Sequence, residues 1–150
     1  MQNNFLVVNF FRVTDPYSGG SEVSFNFFKN IPSKKKRLFQ LSNLRKKHEN
    51  VESIYVGNSK ISKLIKIFEL AGKIKDYCRN KKNLVIIVEG ASWVGYSYLF
   101  YKLVKQNLKN AKFIYHSQNI EFLLRKKKNN LFISQITKMF EQYIANNFEF

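Results

Sequence analysis

The feature that most constrains the fold is a regular alternation of short apolar runs with segments of helical periodicity. The run "LVIIV", residues 84–88, is apolar at every position, which is typical of a strand buried on both faces of a parallel sheet. Further strands are predicted at residues 5–11, 37–42, 53–57 and 111–116. We therefore expect an α/β fold, a Rossmann-like parallel sheet of four to five or more strands with helices on both faces. Residues 84–88 should be central, between residues 5–11 and 111–116.

The segments between the strands carry the spacing of amphipathic helices. In one of them Ile61, Leu64, Ile65 and Phe68 form a clear apolar stripe three and four residues apart. The helices themselves are predicted at residues 21–31, 59–80, 93–108, 120–128 and 131–147. We expect the 150 residues to form a single domain.

The charge of the chain limits its partners. Lys and Arg number 26 against 10 acids, a formal net charge of +16, which favours nucleic acid or an anionic membrane surface. Most of the cations are lysine, whereas sequence-specific DNA-binding proteins contact guanine mainly through arginine. No nucleic-acid-binding motif is present either. Nucleic acid is therefore disfavoured. The lysine runs 34–36 and 126–128 suggest peripheral contact with an anionic membrane, with solvated surface as the alternative.

The single cysteine and the two histidines limit the disulfides and metal sites that the chain can form. Cys78 is the only cysteine, so no internal disulfide forms, and it falls within a predicted helix. The two histidines and the cysteine lack the spacing of metal ligands, so we expect no metal site. No apolar run approaches the roughly 18 residues of a spanning helix, and the N-terminus lacks the features of a signal peptide. We expect a cytoplasmic protein, at most peripheral at the inner face of the membrane.

Two adjacent glycines, Gly19 and Gly20, lie between the first strand and the first helix. With Ser18 and Ser21 they would present backbone N–H groups at a helix N-terminus, which suits a phosphate. The alternative is a plain tight turn, because neither the dinucleotide fingerprint nor a Walker A loop is present. Glu22 falls in the first turn of the helix, where a carboxylate interacts favourably with the helix dipole.

Polar residues also follow the last two predicted strands. Glu89 and Gly90 end residues 84–88, either as a polar group in a cleft or as a strand-end turn with Ser92 capping the next helix. In an open parallel sheet, ligands bind at the carboxyl ends of the strands. We therefore expect Gly19, Glu89 and His116 to lie on one edge of the sheet, around one open cleft.

The richest polar stretch is "YHSQNIEF", at the end of the last strand. It holds His116, Gln118, Asn119 and Glu121, and a histidine there can exchange protons near neutral pH. A structural role, with Asn119 capping the next helix, is the alternative. The second histidine, His48, lies in a charged loop and is interpreted as a surface residue.

These segments together resemble a known family. "SGGSEVSFNFF", residues 18–28, resembles the "GGAE" turn and helix near the start of glycosyltransferase family 4 enzymes. "FIYHSQNIEFLLRKK", residues 113–127, is similar to their strand-plus-helix segment with an H-N-[VI]-E-[YF] block, and "VIIVEG", residues 85–90, fits the strand before it. Gln118 stands where the block often has histidine, and His116 lies two residues earlier.

The resemblance implies the N-terminal half of a GT-B glycosyltransferase, the half that mainly holds the acceptor. It implies sugar transfer from a nucleotide-sugar donor to a glycan or lipid-linked acceptor, with the nucleotide sugar as co-substrate and no other cofactor. By position, Gly19 and Gly20 would approach the donor diphosphate, and His116 or Gln118 would be catalytic by positioning a reacting hydroxyl. The substrate would be contacted by Glu89, Asn119 and Glu121.

The resemblance also implies a C-terminal donor-binding domain that residues 1–150 lack. We expect the chain to be a fragment, or to meet a partner chain that supplies this domain, and to transfer no sugar alone. Two alternatives remain open from the sequence. One is a non-catalytic module that docks on a membrane or partner, and the other is a basic nucleic-acid-binding domain.

Overall fold

A computed structural model describes residues 3–57, 59–90, 92–117 and 131–149. Within these ranges five strands and four helices follow one another along the chain. They are β1 (Asn4–Asn9), α1 (Gly19–Asn30), β2 (Lys36–Ser42), β3 (Val51–Tyr55), α2 (Lys60–Cys78), β4 (Leu84–Glu89), α3 (Val94–Val104), β5 (Lys112–His116) and α4 (Leu131–Asn147). The predicted helix at residues 120–128 lies outside the described residues.

The five strands form one sheet in the order β3-β2-β1-β4-β5, and every pairing is parallel. The predicted α/β fold is therefore confirmed, and β4 lies between β1 and β5 as expected. The third of the five strands is β1. Chain order reverses between β1 and β4, because β2 and β3 extend the sheet on one side and β5 on the other. In such sheets this switch point, at the carboxyl ends of the strands, is where a crevice for a ligand forms.

Each strand sends alternate side chains to opposite faces of the sheet. On one face Leu6, Val8 and Ile86 join the larger core with α2, α3 and α4. On the other face Val7 and Ile87 join a smaller core beneath α1. The two faces are called here the α2/α3 face and the α1 face.

Helix α1 begins two residues before its predicted start. Ser18 caps it, because its Oγ accepts from the N–H of Ser21 while the Ser21 hydroxyl reaches back to the cap backbone. Gly19 and Gly20 are thus the first residues of the helix and not the turn before it. All six glycines are among the described residues, and none has a positive φ. The left-handed residue of this connection is Asp15, with φ 50°.

The apolar stripe predicted on α2 faces away from the sheet. The side of α2 that packs on the core carries Ile67, Leu70 and Ile74. Ile61 is instead 71% exposed and Phe68 is 56% exposed. The helix is apolar on two sides, and periodicity does not identify which side meets the sheet. None of the helices in the described ranges combines the length and the hydropathy needed to cross a bilayer.

Candidate functional site

A row of polar side chains crosses the sheet near the carboxyl ends of the strands. Ser53 pairs in register with Gln40, and Gln40 with Asn9. Asn9 and Glu89 each come directly after a paired valine on β1 and β4, and Glu89 pairs with His116. Since alternate residues of each strand share a face, all five lie on the α1 face. One strand after another therefore contributes a polar group where the apolar core ends.

Glu89, on β4, is the charged member of this row that contacts both a neighbouring strand and helix α1. Its side chain is fully buried, and a buried carboxylate is costly unless it is hydrogen-bonded. Oε1 lies 2.8 Å from Nδ1 of His116, and Oε2 accepts a hydrogen bond of 2.9 Å from the hydroxyl of Ser24. Both carboxylate oxygens thus hold neighbouring side chains in place, one on β5 and one on α1.

His116 combines a fixed ring with access to solvent. For a hydrogen bond to the carboxylate of Glu89, Nδ1 must carry a proton. Nε2 is then available to accept a hydrogen bond or a proton from a ligand. Phe27 stacks on the imidazole, with ring centroids 4.6 Å apart and an interplanar angle of 28°. The side chain is 37% exposed, so a ligand can reach it. A histidine oriented in this way can position a hydroxyl group or accept its proton.

Helix α1 supplies the contacts that the sequence interpretation missed. Ser21 and Ser24 are fully buried, and these small side chains let the helix approach the polar ends of the strands. Phe27 lies one turn after Ser24 on the same side of the helix, which brings it over His116. The signal in the sequence was a small polar serine beside three phenylalanines in "VSFNFF", residues 23–28.

Gly90 fixes the relation between β4 and β5 just beyond Glu89. Its N–H donates to the carbonyl of His116 at 2.8 Å. A Cβ at this position would lie 2.7 Å from Oη of Tyr115 and 3.0 Å from that carbonyl oxygen. The absence of a side chain therefore permits the close approach that sets the Glu89–His116 pair.

The start of α1, the helix that contacts Glu89 through Ser24, offers open backbone donors. No described residue accepts a hydrogen bond from the N–H of Gly19 or Gly20. A Cβ built on Gly19 would meet no atom within 4 Å, so the approach to the backbone is free. Gly19 precedes Ser24 by about 7.5 Å along the helix axis, since each residue rises about 1.5 Å.

Two cations missed by the sequence interpretation lie beside the connection between β1 and α1. Arg12 and Lys63 line a small cavity of about 150 Å³ together with Tyr17 and Gly57. The guanidinium of Arg12 also lies 4.8 Å from the centroid of the Tyr17 ring. This places positive charge next to the residues that lead into α1.

Asn9 is the unusual member of the polar row. It is fully buried, and neither atom of its amide has a hydrogen-bond partner among the described residues. Gln40, its neighbour on β2, instead bonds Thr14 and Ser53 through its amide nitrogen. A buried polar group without partners costs stability, so Asn9 is an unfavourable residue at the switch point.

His48, interpreted from the sequence as a surface residue, is only partly exposed and pairs with Asp15. Its Nε2 lies 3.2 Å from Oδ2 of Asp15, and Lys46 donates to Oδ1 of the same carboxylate at 2.9 Å. The hydrogen bond from Lys46, followed by His48, holds the pKa of Asp15 below its usual value. These contacts join the connection before α1 to the one after β2.

The structure thus brings Glu89 and His116 together at the carboxyl edge of the sheet, as expected, and places Gly19 and Gly20 at the start of the helix that covers them. The predicted site residues Gln118, Asn119 and Glu121 lie outside the described residues. Within the described ranges, no three His, Cys, Asp or Glu side chains are close enough together to hold a metal ion.

Comparisons with known proteins add no assignment to this geometry. No protein-family model matches the chain, and no curated protein matches it in sequence.

Proposed function

We propose that this chain is the N-terminal, acceptor-side half of a glycosyltransferase, resembling family 4, that transfers a sugar from a nucleotide-sugar donor to a glycan or lipid-linked acceptor. The observation that carries the proposal is the Glu89–His116 pair at the carboxyl edge of the sheet, 2.8 Å between Oε1 and Nδ1. A buried carboxylate that orients a solvent-accessible histidine is an arrangement suited to a reacting hydroxyl group.

In this proposal His116 acts on the acceptor. Nε2 would accept a hydrogen bond from the attacking hydroxyl, and Glu89 would stabilise the imidazolium if the proton is transferred. Phe27 restricts rotation of the ring, so the geometry would be set before the substrate binds. Ser24 holds the second oxygen of Glu89 and keeps the carboxylate directed at the histidine.

The start of α1 would bind the donor diphosphate. The N–H groups of Gly19 and Gly20 lie at the positive end of the helix dipole, where an anion is stabilised. Donors of this type stabilise the charge that develops on a leaving diphosphate. Glu22 lies in the same first turn and would limit affinity, so these 150 residues alone should bind a diphosphate weakly.

The proposal is tested by nucleotide binding and not by sugar transfer, because in the family that the sequence resembles a second domain supplies most contacts to the donor. Titration of the ¹⁵N-labelled chain with nucleoside diphosphates should shift the amide signals of Gly19 and Gly20. The variant Gly19→Ala should weaken binding about tenfold, since a methyl group would block the approach to the backbone. Gly72→Ala is the matched control, because a Cβ there also meets no atom within 4 Å.

The control defines the result that would contradict the proposal. Gly72→Ala should bind like the wild type, and both variants should keep its melting temperature or exceed it. Unchanged amide signals at Gly19 and Gly20 with saturating nucleoside diphosphate would rule out the donor site. An equal loss of nucleotide affinity in Gly19→Ala and Gly72→Ala would also rule out the donor site.

A further inference from the structure

Helix α2 exposes a continuous apolar surface that the fold does not use. Ile61, Leu64, Ile65 and Phe68, called here the α2 stripe, lie within two turns of one another on the outer side of the helix. Ile65 is 63% exposed and Leu64 is 36% exposed. Single exposed apolar residues are normal, but four adjacent ones on one side of a helix indicate a surface that meets something else.

The same side of α2 becomes basic towards its C-terminal end. Lys75 follows Phe68 by seven residues, two helical turns, and so continues the line of the α2 stripe. Arg79 lies one turn further, and both line an open cleft of about 920 Å³ with Lys81 and Lys82. An apolar patch thus passes directly into a cationic one.

Acidic residues offset only part of this charge. The acids between Lys60 and Lys82 in the sequence are Glu69 and Asp76. Glu69 accepts from Lys66 at 2.6 Å, and Asp76 from Arg79 at 2.8 Å. Lys75 forms no ion pair with another described residue, so its charge remains available to a partner.

The charge decides between the partners that an apolar stripe could meet. A second copy of this chain would bring two molecules of net charge +16 together through basic faces, which is electrostatically unfavourable. An anionic lipid surface attracts the lysines and accepts the apolar side chains between its headgroups. We propose that the α2 stripe docks this protein onto an anionic phospholipid bilayer.

This surface differs from the lysine runs that the sequence suggested. Lys36 donates from Nζ to the carbonyls of Lys29 and Ile31 and is therefore partly engaged within the fold. Residues 126–128 lie outside the described residues. The inference does not depend on the proposed sugar transfer, because vesicle binding and nucleotide binding are measured separately and involve different elements.

The experiment is co-sedimentation with vesicles of phosphatidylcholine containing a quarter of phosphatidylglycerol, beside vesicles of phosphatidylcholine alone. The wild type should bind the anionic vesicles, and about 0.5 M salt should reduce that binding at least tenfold because the Debye length shortens. The double variant Ile65→Ser with Phe68→Ser should lower the partition coefficient about tenfold, since two apolar side chains no longer insert.

The matched control is Met139→Ser on α4, whose side chain is 58% exposed, close to that of Phe68. This variant should bind vesicles like the wild type. Equal binding to neutral and anionic vesicles would overturn the proposal, and so would full binding by the α2 double variant. A wild-type dimer that the double variant converts to a monomer would also overturn it, in favour of a second copy.

Discussion

The two faces of the sheet bury different chemistry, although the same strands form both. The α2/α3 face is apolar to its end, and Phe10 packs there against the ring of Phe100 with centroids 5.9 Å apart. The α1 face begins with valine and leucine and ends in the polar row that includes Asn9 and Glu89. One face therefore contributes mainly stability, while the other carries groups that a ligand can use.

The difference arises between adjacent residues. Val8 and Asn9 are neighbours in β1, as are Val88 and Glu89 in β4. Because successive side chains of a strand point to opposite faces, the two members of each pair lie on different faces of the sheet. A register shift of one residue would bury the polar row among the aromatic rings of the larger core. The two faces are thus a consequence of strand register, and three substitutions test how different they are.

The largest effect is expected on the apolar face. Phe100→Ala removes a fully buried aromatic ring from the core beneath α2 and α3. The free energy of unfolding should fall by about 3–5 kcal/mol, measured by urea denaturation. A loss below about 1 kcal/mol would show that this face is not the main source of stability.

An intermediate effect is expected at Glu89, the buried carboxylate of the polar row. Glu89→Gln keeps the shape of the side chain but replaces a charged group that accepts hydrogen bonds from Ser24 and His116. The free energy of unfolding should fall by about 1–3 kcal/mol, because bonds to a charged group are stronger than those to an amide. The ring signals of His116 in an NMR spectrum should shift as well.

The control for this substitution is Glu52→Gln, at a partly exposed carboxylate that pairs with Lys73 at 2.8 Å. Solvent screening makes that ion pair weak, so Glu52→Gln should change stability by less than about 1 kcal/mol. If both substitutions had equal effects, the burial of Glu89 would not distinguish it from an ordinary surface acid.

The smallest effect, and the sharpest contrast, is expected at Asn9. Asn9→Leu replaces an amide without partners among the described residues by an apolar group of similar branching. Stability should stay within about 1 kcal/mol of the wild type or rise, since the cost of the buried amide is removed. The measurement is the same urea titration, and a loss above about 2 kcal/mol would indicate that the amide is satisfied in solution.

The sequence by itself determined the elements and the class of the fold. The strand β4 was predicted at residues 84–88 and found at Leu84–Glu89, and α4 was predicted at residues 131–147 and found at Leu131–Asn147. These features depend on local periodicity and on runs of apolar residues, which neighbouring positions in the chain encode directly.

The tertiary structure alone decided which face each residue meets. Glu89 and His116 were recognised separately as polar strand ends, but their contact depends on the register between β4 and β5. Ser24 and Phe27 join them only because α1 packs over that edge. The α2 stripe shows the same limit, since a helix that is apolar on two sides does not encode which side the sheet will cover. Contacts between distant segments depend on how those segments pack, and the spacing of residues along one segment does not determine that packing.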